Sequence, residues 1–367
     1  MTFSVFRHWV AWAVLAGLLV LAGWWLRPPG VPMARATATR PTPPLFRGVS
    51  WVADDSITAP DLEPLLRCHV NWIAQTPFGW TDSAAGPAVR LHTGRAGRWA
   101  LWGEADSGLV RTAVLARQRG IRTLLKPHLW VRGRRGASSW PGDIQMQSKA
   151  DWHTWFASYS AFILHYAELA ERHHLDALCL GTELQHATTP THEAQWRALI
   201  QQVRAVYHGP LTYAANWSGE YEQIRFWDAL DYIGIQAYFP LSTTPEPDKA
   251  TLLAAWQEHL PAIERVQRKF NKPVVFTEIG YKNAPDAAIE PWKWPERTAA
   301  LLPTSETLQM ACYEAMFETF WARPWFAGLF IWKWYPHLGP NDLSRRHLDF
   351  TPQHKPAEQV ITRWFKQ

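Results

Sequence analysis

The chain has 367 residues, 47% of them hydrophobic and 19% charged, which excludes global disorder and supplies core material for one large domain. A net charge of +5 without a long basic block gives little case for a nucleic-acid partner, and three widely separated cysteines, Cys68, Cys179 and Cys312, exclude a disulfide scaffold or a zinc knuckle. The outlying number is 24 tryptophans, each a flat apolar face with one donor, suited to stacking on sugars or bases as well as to core packing.

Trp9 to Leu26 is an uncharged apolar stretch flanked by Arg7 and Arg27, just sufficient for a membrane span and long for a signal-peptide core. Residues 1–26 are therefore expected to be an uncleaved signal anchor. Cleavage near Ala34-Arg35-Ala36 stays open, and the flanking arginines do not fix the orientation. Residues 27–44 carry six prolines and no apolar periodicity, which reads as a stiff linker. The folded part is then expected outside the cytoplasmic membrane, tethered to it, or secreted if the anchor is removed.

From residue 45 onward short apolar runs alternate with amphipathic stretches. Strands are predicted at Gly48–Trp51, Val70–Thr76, Arg122–Leu129, Asp176–Leu184, Leu211–Trp217, Tyr232–Tyr238, Pro273–Ile279 and Ala327–Trp332. The clearest helices between them are Trp152–His173, Glu193–Val206, Ala250–Lys269 and Ser305–Trp321. Eight strands separated by helices is the count of a (β/α)8 TIM barrel, here spanning residues 45–367. Connections into strands are short, whereas Pro77–Asp106, Val131–Lys149 and Lys282–Thr304, which leave strands, are long. Such asymmetry builds a binding cleft on the face where the strands end. These loops carry Trp80, Trp99, Trp102, Trp140, Trp292 and Trp294, which as a set look like platforms for a sugar chain.

The fourth run, Asp176-Ala-Leu-Cys-Leu-Gly-Thr-Glu-Leu184, ends in a glycine, a hydroxyl and a carboxylate. Cys179 within it is read as a small buried hydrophobe. The seventh run, Pro273-Val-Val-Phe-Thr-Glu-Ile279, has the same wording, so Glu183 and Glu278 end two strands of one barrel and converge on its mouth. Paired carboxyls have a specific use: one, its pKa raised, protonates a leaving oxygen, and the other stays ionised and attacks the anomeric carbon. A separation of about 5–5.5 Å gives retention and a wider one inversion.

Glutamates ending strands four and seven of an eightfold barrel resemble clan A of the glycoside hydrolases. The wording Gly181-Thr-Glu-Leu184, with Lys126-Pro-His128 and Phe276-Thr-Glu-Ile-Gly-Tyr281, resembles glycoside hydrolase family 113, whose known members are mainly β-mannanases. The likeness runs from about Arg47 to Trp334. It implies a retaining glycosidase acting on a β-1,4-linked, mannan-like polysaccharide or oligosaccharide, with Glu183 as acid/base, Glu278 as nucleophile and no cofactor. One departure is Thr182, where the clan commonly has an asparagine that donates to the sugar 2-hydroxyl.

Other strand ends fill out the expected pocket. Asn216 and Trp217 close strand five, and Asn216 is a candidate for the 2-hydroxyl contact or a mere turn residue. Tyr238, at the clan's tyrosine position, is expected to hold the strand-seven carboxylate, and Trp332 to floor the sugar site. Lys126 and His128 are placed on strand three, where the lysine needs a carboxylate or sugar hydroxyls and the histidine contacts sugar or orients Glu183. Trp51 ends strand one and joins the candidate sugar contacts, while Asp54 and Asp55 read as turn residues. A non-hydrolytic, membrane-tethered carbohydrate-binding barrel, serving polysaccharide sensing or exopolysaccharide handling, would use the same tryptophans but has no need of paired acids. A metal-dependent hydrolase is disfavoured, because Gly48-Val-Ser-Trp51 carries no histidine ligand.

Overall fold

The computed structural model describes residues 45–91, 101–132, 140–294, 303–339, 341–342 and 348–367. The expected anchor and linker, residues 1–44, and Trp99 lie outside them. Among the described residues no helix is long and apolar enough to cross a membrane.

Eight parallel strands close into a barrel: β1 (Phe46–Trp51), β2 (Trp72–Gln75), β5 (Arg122–Leu125), β7 (Ala177–Thr182), β8 (Leu211–Asn216), β9 (Ile233–Gln236), β10 (Val274–Ile279) and β11 (Phe326–Trp334), in the order β1-β11-β10-β9-β8-β7-β5-β2. The remaining strands, β3 (Phe78–Thr81), β4 (Arg90–Leu91) and β6 (His128–Val131), form a small separate sheet in the order β4-β3-β6. All eight predicted barrel strands are present, with ends shifted by a few residues.

The third is the exception in kind. The run Arg122–Leu129 divides at Lys126-Pro127: proline offers no N–H to a ladder, β5 stops at Leu125, and His128 opens β6 against β3. His128 therefore does not belong to a barrel strand. The small sheet was not expected from the sequence, because its strands, at two to four residues, are too short for a periodic signal.

Burial explains why the barrel strands read as continuous apolar runs. Every residue of β7, β8, β9 and β10 is buried, those facing inward packing on one another and those facing outward packing on the helices. The lower interior is filled by Phe46, Trp72, Leu124, Ala177, Cys179, Ala214, Val275 and Phe330, so the barrel is a packed core and not a pore. Cys179 lies in this layer as the small hydrophobe expected, and all three cysteines are free and buried.

The outer helices are α1 (Glu63–Arg67), α2 (Asp106–Arg117), α3 (Lys149–His173), α4 (Glu193–Val206), α5 (Glu220–Gln223), α6 (Lys249–Phe270), α7 (Glu306–Phe320) and α8 (Pro356–Phe365). Side-chain oxygens of Ser148, Asp248 and Ser305 accept from the first-turn amides of Asp151, Thr251 and Leu308 and so start α3, α6 and α7. Each such cap stabilises its helix by about 1 kcal/mol. Helix α3 also sets the end of β7, since its buried Tyr159 donates to the Leu180 carbonyl at 2.7 Å. A Cβ on Gly181 would lie 2.4 Å from that hydroxyl, which is why the Gly-Thr-Glu wording needs its glycine.

Candidate active site

Where the barrel strands end, a cleft of about 540 Å³ opens, in the usual size range of small-molecule sites. Both glutamates line it. They reach it in different backbone states.

Glu183 follows β7 immediately and has φ +52°, a left-handed conformation uncommon for a residue with a side chain. Such a state costs about 1–3 kcal/mol and persists where neighbours over-determine it. Here the amide of Glu183 donates to the Ala214 carbonyl at 2.9 Å, and the next amide, of Leu184, donates to the Tyr213 hydroxyl at 2.7 Å. The Glu183 carboxylate accepts from Asn216 Nδ2 at 2.8 Å on Oε1 and from Trp140 Nε1 at 2.9 Å on Oε2. Burial pushes its pKa above the ordinary glutamate value and the charge of Glu278 adds to this, outweighing those two donors and the more distant Lys126.

Glu278 lies within β10 and is almost fully buried. Its Oε1 receives the ammonium of Lys126, itself wholly buried, and its Oε2 accepts from the Tyr238 hydroxyl at 2.9 Å. Burial pushes this carboxyl up too, but the positive charge and hydrogen bond of Lys126 more than offset it, and the net pKa falls below the ordinary value. His128 Nε2 faces the same Oε1 at 3.8 Å, beyond hydrogen-bond distance, and has no hydrogen-bond partner among the described residues. Burial and the neighbouring lysine hold His128 down to about 3, so it is neutral near pH 7. One carboxyl is thus disposed to keep a proton and the other to stay ionised.

Of the predicted sugar contacts, Asn216, Trp217, Tyr238 and Trp332 line the cleft, and Lys126, His128 and Trp51 do not. Lys126 meets the carboxylate that the sequence reading demanded of it, and it also donates to the Thr277 carbonyl at 3.3 Å. Wholly buried, it is held against Glu278 and does not face the cleft. His128 is likewise turned to Glu278 and not to Glu183. Trp51 is buried in the main core. Asn216 gives one amide hydrogen to Glu183, and its Oδ1 accepts from Ser218 N at 2.7 Å, which leaves its second amide hydrogen for a ligand.

Among the loop tryptophans, Trp140, Trp292 and Trp294 line the cleft. Trp292 stacks on Trp217 with centroids 5.1 Å apart, and Trp294 carries the Lys333 ammonium 4.2 Å over its ring. Trp80 instead lies under Arg132 and Arg90, and Trp102 packs against the core. Asp54 and Asp55, read as turn residues, lie in the loop after β1, where the amide of Asp55 donates to Asp54 Oδ1 at 2.8 Å and Asp54 Oδ2 also pairs with His337 Nδ1 at 3.1 Å. Sequence reasoning missed Gln236, Ser218 and Phe350 as cleft residues. Gln236 ends β9, a position that could have been flagged, but Phe350 comes from a segment after the last barrel strand with no signal of its own. Among the described residues no group of three or more His, Cys, Asp or Glu side chains is arranged to hold a metal ion.

A closed parallel barrel with two carboxyls of opposed proton affinity at its strand ends, in a tryptophan-lined cleft, has the architecture of a glycoside hydrolase. The model of Glycoside Hydrolase Family 113 matches residues 51–355, and the chain belongs to that family. Solved structures agree. A family 113 β-1,4-mannanase is 26% identical, with 88% of this chain and 99% of that one covered at a TM-score of 0.73. The β-mannanase of Alicyclobacillus acidocaldarius, solved with ManMIm, is 27% identical over 88% and 97% of the two chains, also at 0.73. A β-glucuronidase from Ruminococcus gnavus shares the fold alone, at 14% identity and a TM-score of 0.58, with 50% of its chain covered. No curated protein is a significant sequence match.

Proposed function

We propose that this protein hydrolyses β-1,4-linked, mannan-like glycans by double displacement, with Glu183 as acid/base and Glu278 as nucleophile. The observation that carries the assignment is the asymmetry of the two carboxyls: Glu278 is held ionised by buried Lys126 and by Tyr238, while burial raises Glu183. The β-mannanases matched over nearly their whole length support the substrate class.

In the first step a Glu278 oxygen attacks the anomeric carbon while Glu183 passes its proton to the departing glycosidic oxygen. In the second, Glu183, now ionised, takes a proton from water as that water attacks the glycosyl ester, and Glu278 leaves. Trp140 and Asn216 hold the Glu183 carboxyl by one oxygen each, which fixes the direction in which its proton is delivered. Trp332 and the Trp217–Trp292 stack supply apolar faces for sugar rings.

Replacement of Glu183 or Glu278 by glutamine, assayed on mannan and manno-oligosaccharides, is expected to cost more than about 10²-fold in kcat/KM in each case. A loss below about tenfold from either change removes that residue from the scheme. Following the first-formed anomer by NMR tests retention, and an inverted product would exclude the covalent route.

The uncharged stretch Trp9–Leu26 supports a further reading, that the enzyme is exported and membrane-tethered. Fractionation of cells making the full chain is expected to place it with membranes, and recovery of the full-length chain in the soluble cytoplasmic fraction would exclude the tether.

A further inference from the structure

Close to Glu183 lies a third carboxyl for which the double displacement has no direct use. Glu220 opens the short helix α5 immediately after Gly219, whose φ of +79° turns the chain back toward the barrel. Glu220 is fully buried, and among the described residues no ion pair reaches it. Every contact it makes is as an acceptor. Oε1 receives the hydroxyls of Tyr213 at 2.7 Å and Thr188 at 2.8 Å, and Oε2 receives the backbone amide of Asn216 at 2.6 Å. Burial pushes its pKa up to about 7 against those three donors, so the placement is electrostatically costly.

What those donors do next gives the placement its meaning. The Tyr213 hydroxyl, while donating to Glu220, accepts the Leu184 amide, which belongs to the residue following the left-handed Glu183. Thr188 ends the turn that leaves Glu183, its amide donating to the Leu184 carbonyl at 3.0 Å. Asn216, held by its backbone amide, gives its side-chain amide to Glu183 Oε1. One carboxylate therefore fixes the backbone on the far side of Glu183 and the residue that grips the Glu183 side chain.

We propose that Glu220 is a positioning residue for Glu183, an acceptor that orients the acid/base carboxyl through Tyr213, Thr188 and Asn216 without touching substrate. A carboxylate suits the task because it has only acceptor sites, whereas a glutamine would turn an NH2 group toward one of the three donors. Tyr213, already accepting the Leu184 amide, could take a further donor from glutamine only by leaving its own buried O–H without an acceptor.

The proposal rests on Glu183 being the acid/base, and leaving-group dependence separates the two claims. A 2,4-dinitrophenolate departs without a proton, whereas a phenolate needs one, so misdirection of Glu183 should be felt only with the second. Glu220→Gln is expected to lower kcat/KM on phenyl β-mannobioside by about tenfold or more and on the dinitrophenyl compound by less than about threefold. Equal losses on both substrates would overturn the positioning role and leave a generally loosened site. Glu183→Gln, run alongside, is expected to show the same selectivity more strongly; if it depresses both substrates equally, the acid assignment itself fails. Should Glu220→Gln not fold, Tyr213→Phe removes the hydroxyl that joins Glu220 to the Leu184 amide while leaving the Thr188 and Asn216 links, and is expected to show the same bias, its absence there overturning the proposal.

Discussion

The ends of β7 and β10 carry almost the same words, Gly-Thr-Glu-Leu and Phe-Thr-Glu-Ile, and hold their glutamates in opposite electrostatic states. Glu183 sits beyond its strand in a left-handed turn and is gripped by two neutral donors, an indole and an amide. Glu278 stays inside its strand, nearly buried, against an ammonium and a phenol. Both carboxyls pay the desolvation penalty, so burial alone does not distinguish them. A positive charge in contact with one of them does, because charge-assisted contact with the ionised form is worth more than a neutral hydrogen bond. Local sequence puts an acid at a strand end, and the partner brought to it decides whether its affinity for a proton rises or falls.

Removing the charge should break this difference most. Lys126→Met removes the main opposition to the burial of Glu278, so its pKa rises, and the acidic limb of the pH–kcat/KM profile should move to higher pH. The sign follows from Glu278 acting ionised: a raised pKa means it is protonated, and inactive, over a wider acidic range. An acidic limb that stays in place would show that Lys126 does not set the nucleophile's charge.

Tyr238→Phe should sharpen the same comparison with a smaller effect. It deletes the 2.9 Å bond to Glu278 Oε2 but leaves the ammonium, so the acidic limb should rise by less than in the lysine variant and kcat fall by about tenfold. A shift as large as that of Lys126→Met would rank a neutral donor with a charged one and refute the argument. The smallest change is expected from Trp140→Phe, which removes one neutral donor from Glu183. That donor lowers the Glu183 pKa, so its loss should raise it and move the alkaline limb, where Glu183 loses its proton, slightly to higher pH. A move to lower pH would mean that Trp140 does not bond the ionised carboxylate.

The barrel was legible because its strands are buried on both faces and so appear as unbroken apolar runs between turn residues. Even the helix Glu193–Val206 has the limits its periodicity implies. Legibility failed at Pro127, where an apolar run continues in the sequence but the ladder cannot, and His128 passes to a second sheet. For Lys126 the sequence left two partners open, a carboxylate or sugar hydroxyls, because a strand-end lysine gives no hint which will meet it, and the fold brings Glu278 to it. Glu220 carried no signal, since an acid opening a short helix looks like any helix-start charge until its burial is known.

By itself the sequence determined a family 113 glycoside hydrolase barrel and put two glutamates at the ends of its fourth and seventh strands, because apolar patterning and a motif's wording are properties of consecutive residues. Only the tertiary structure decided which glutamate is held ionised. Lys126 lies 152 positions from Glu278, Trp140 lies 43 from Glu183, and proton affinity depends on distances in space that closing the barrel creates.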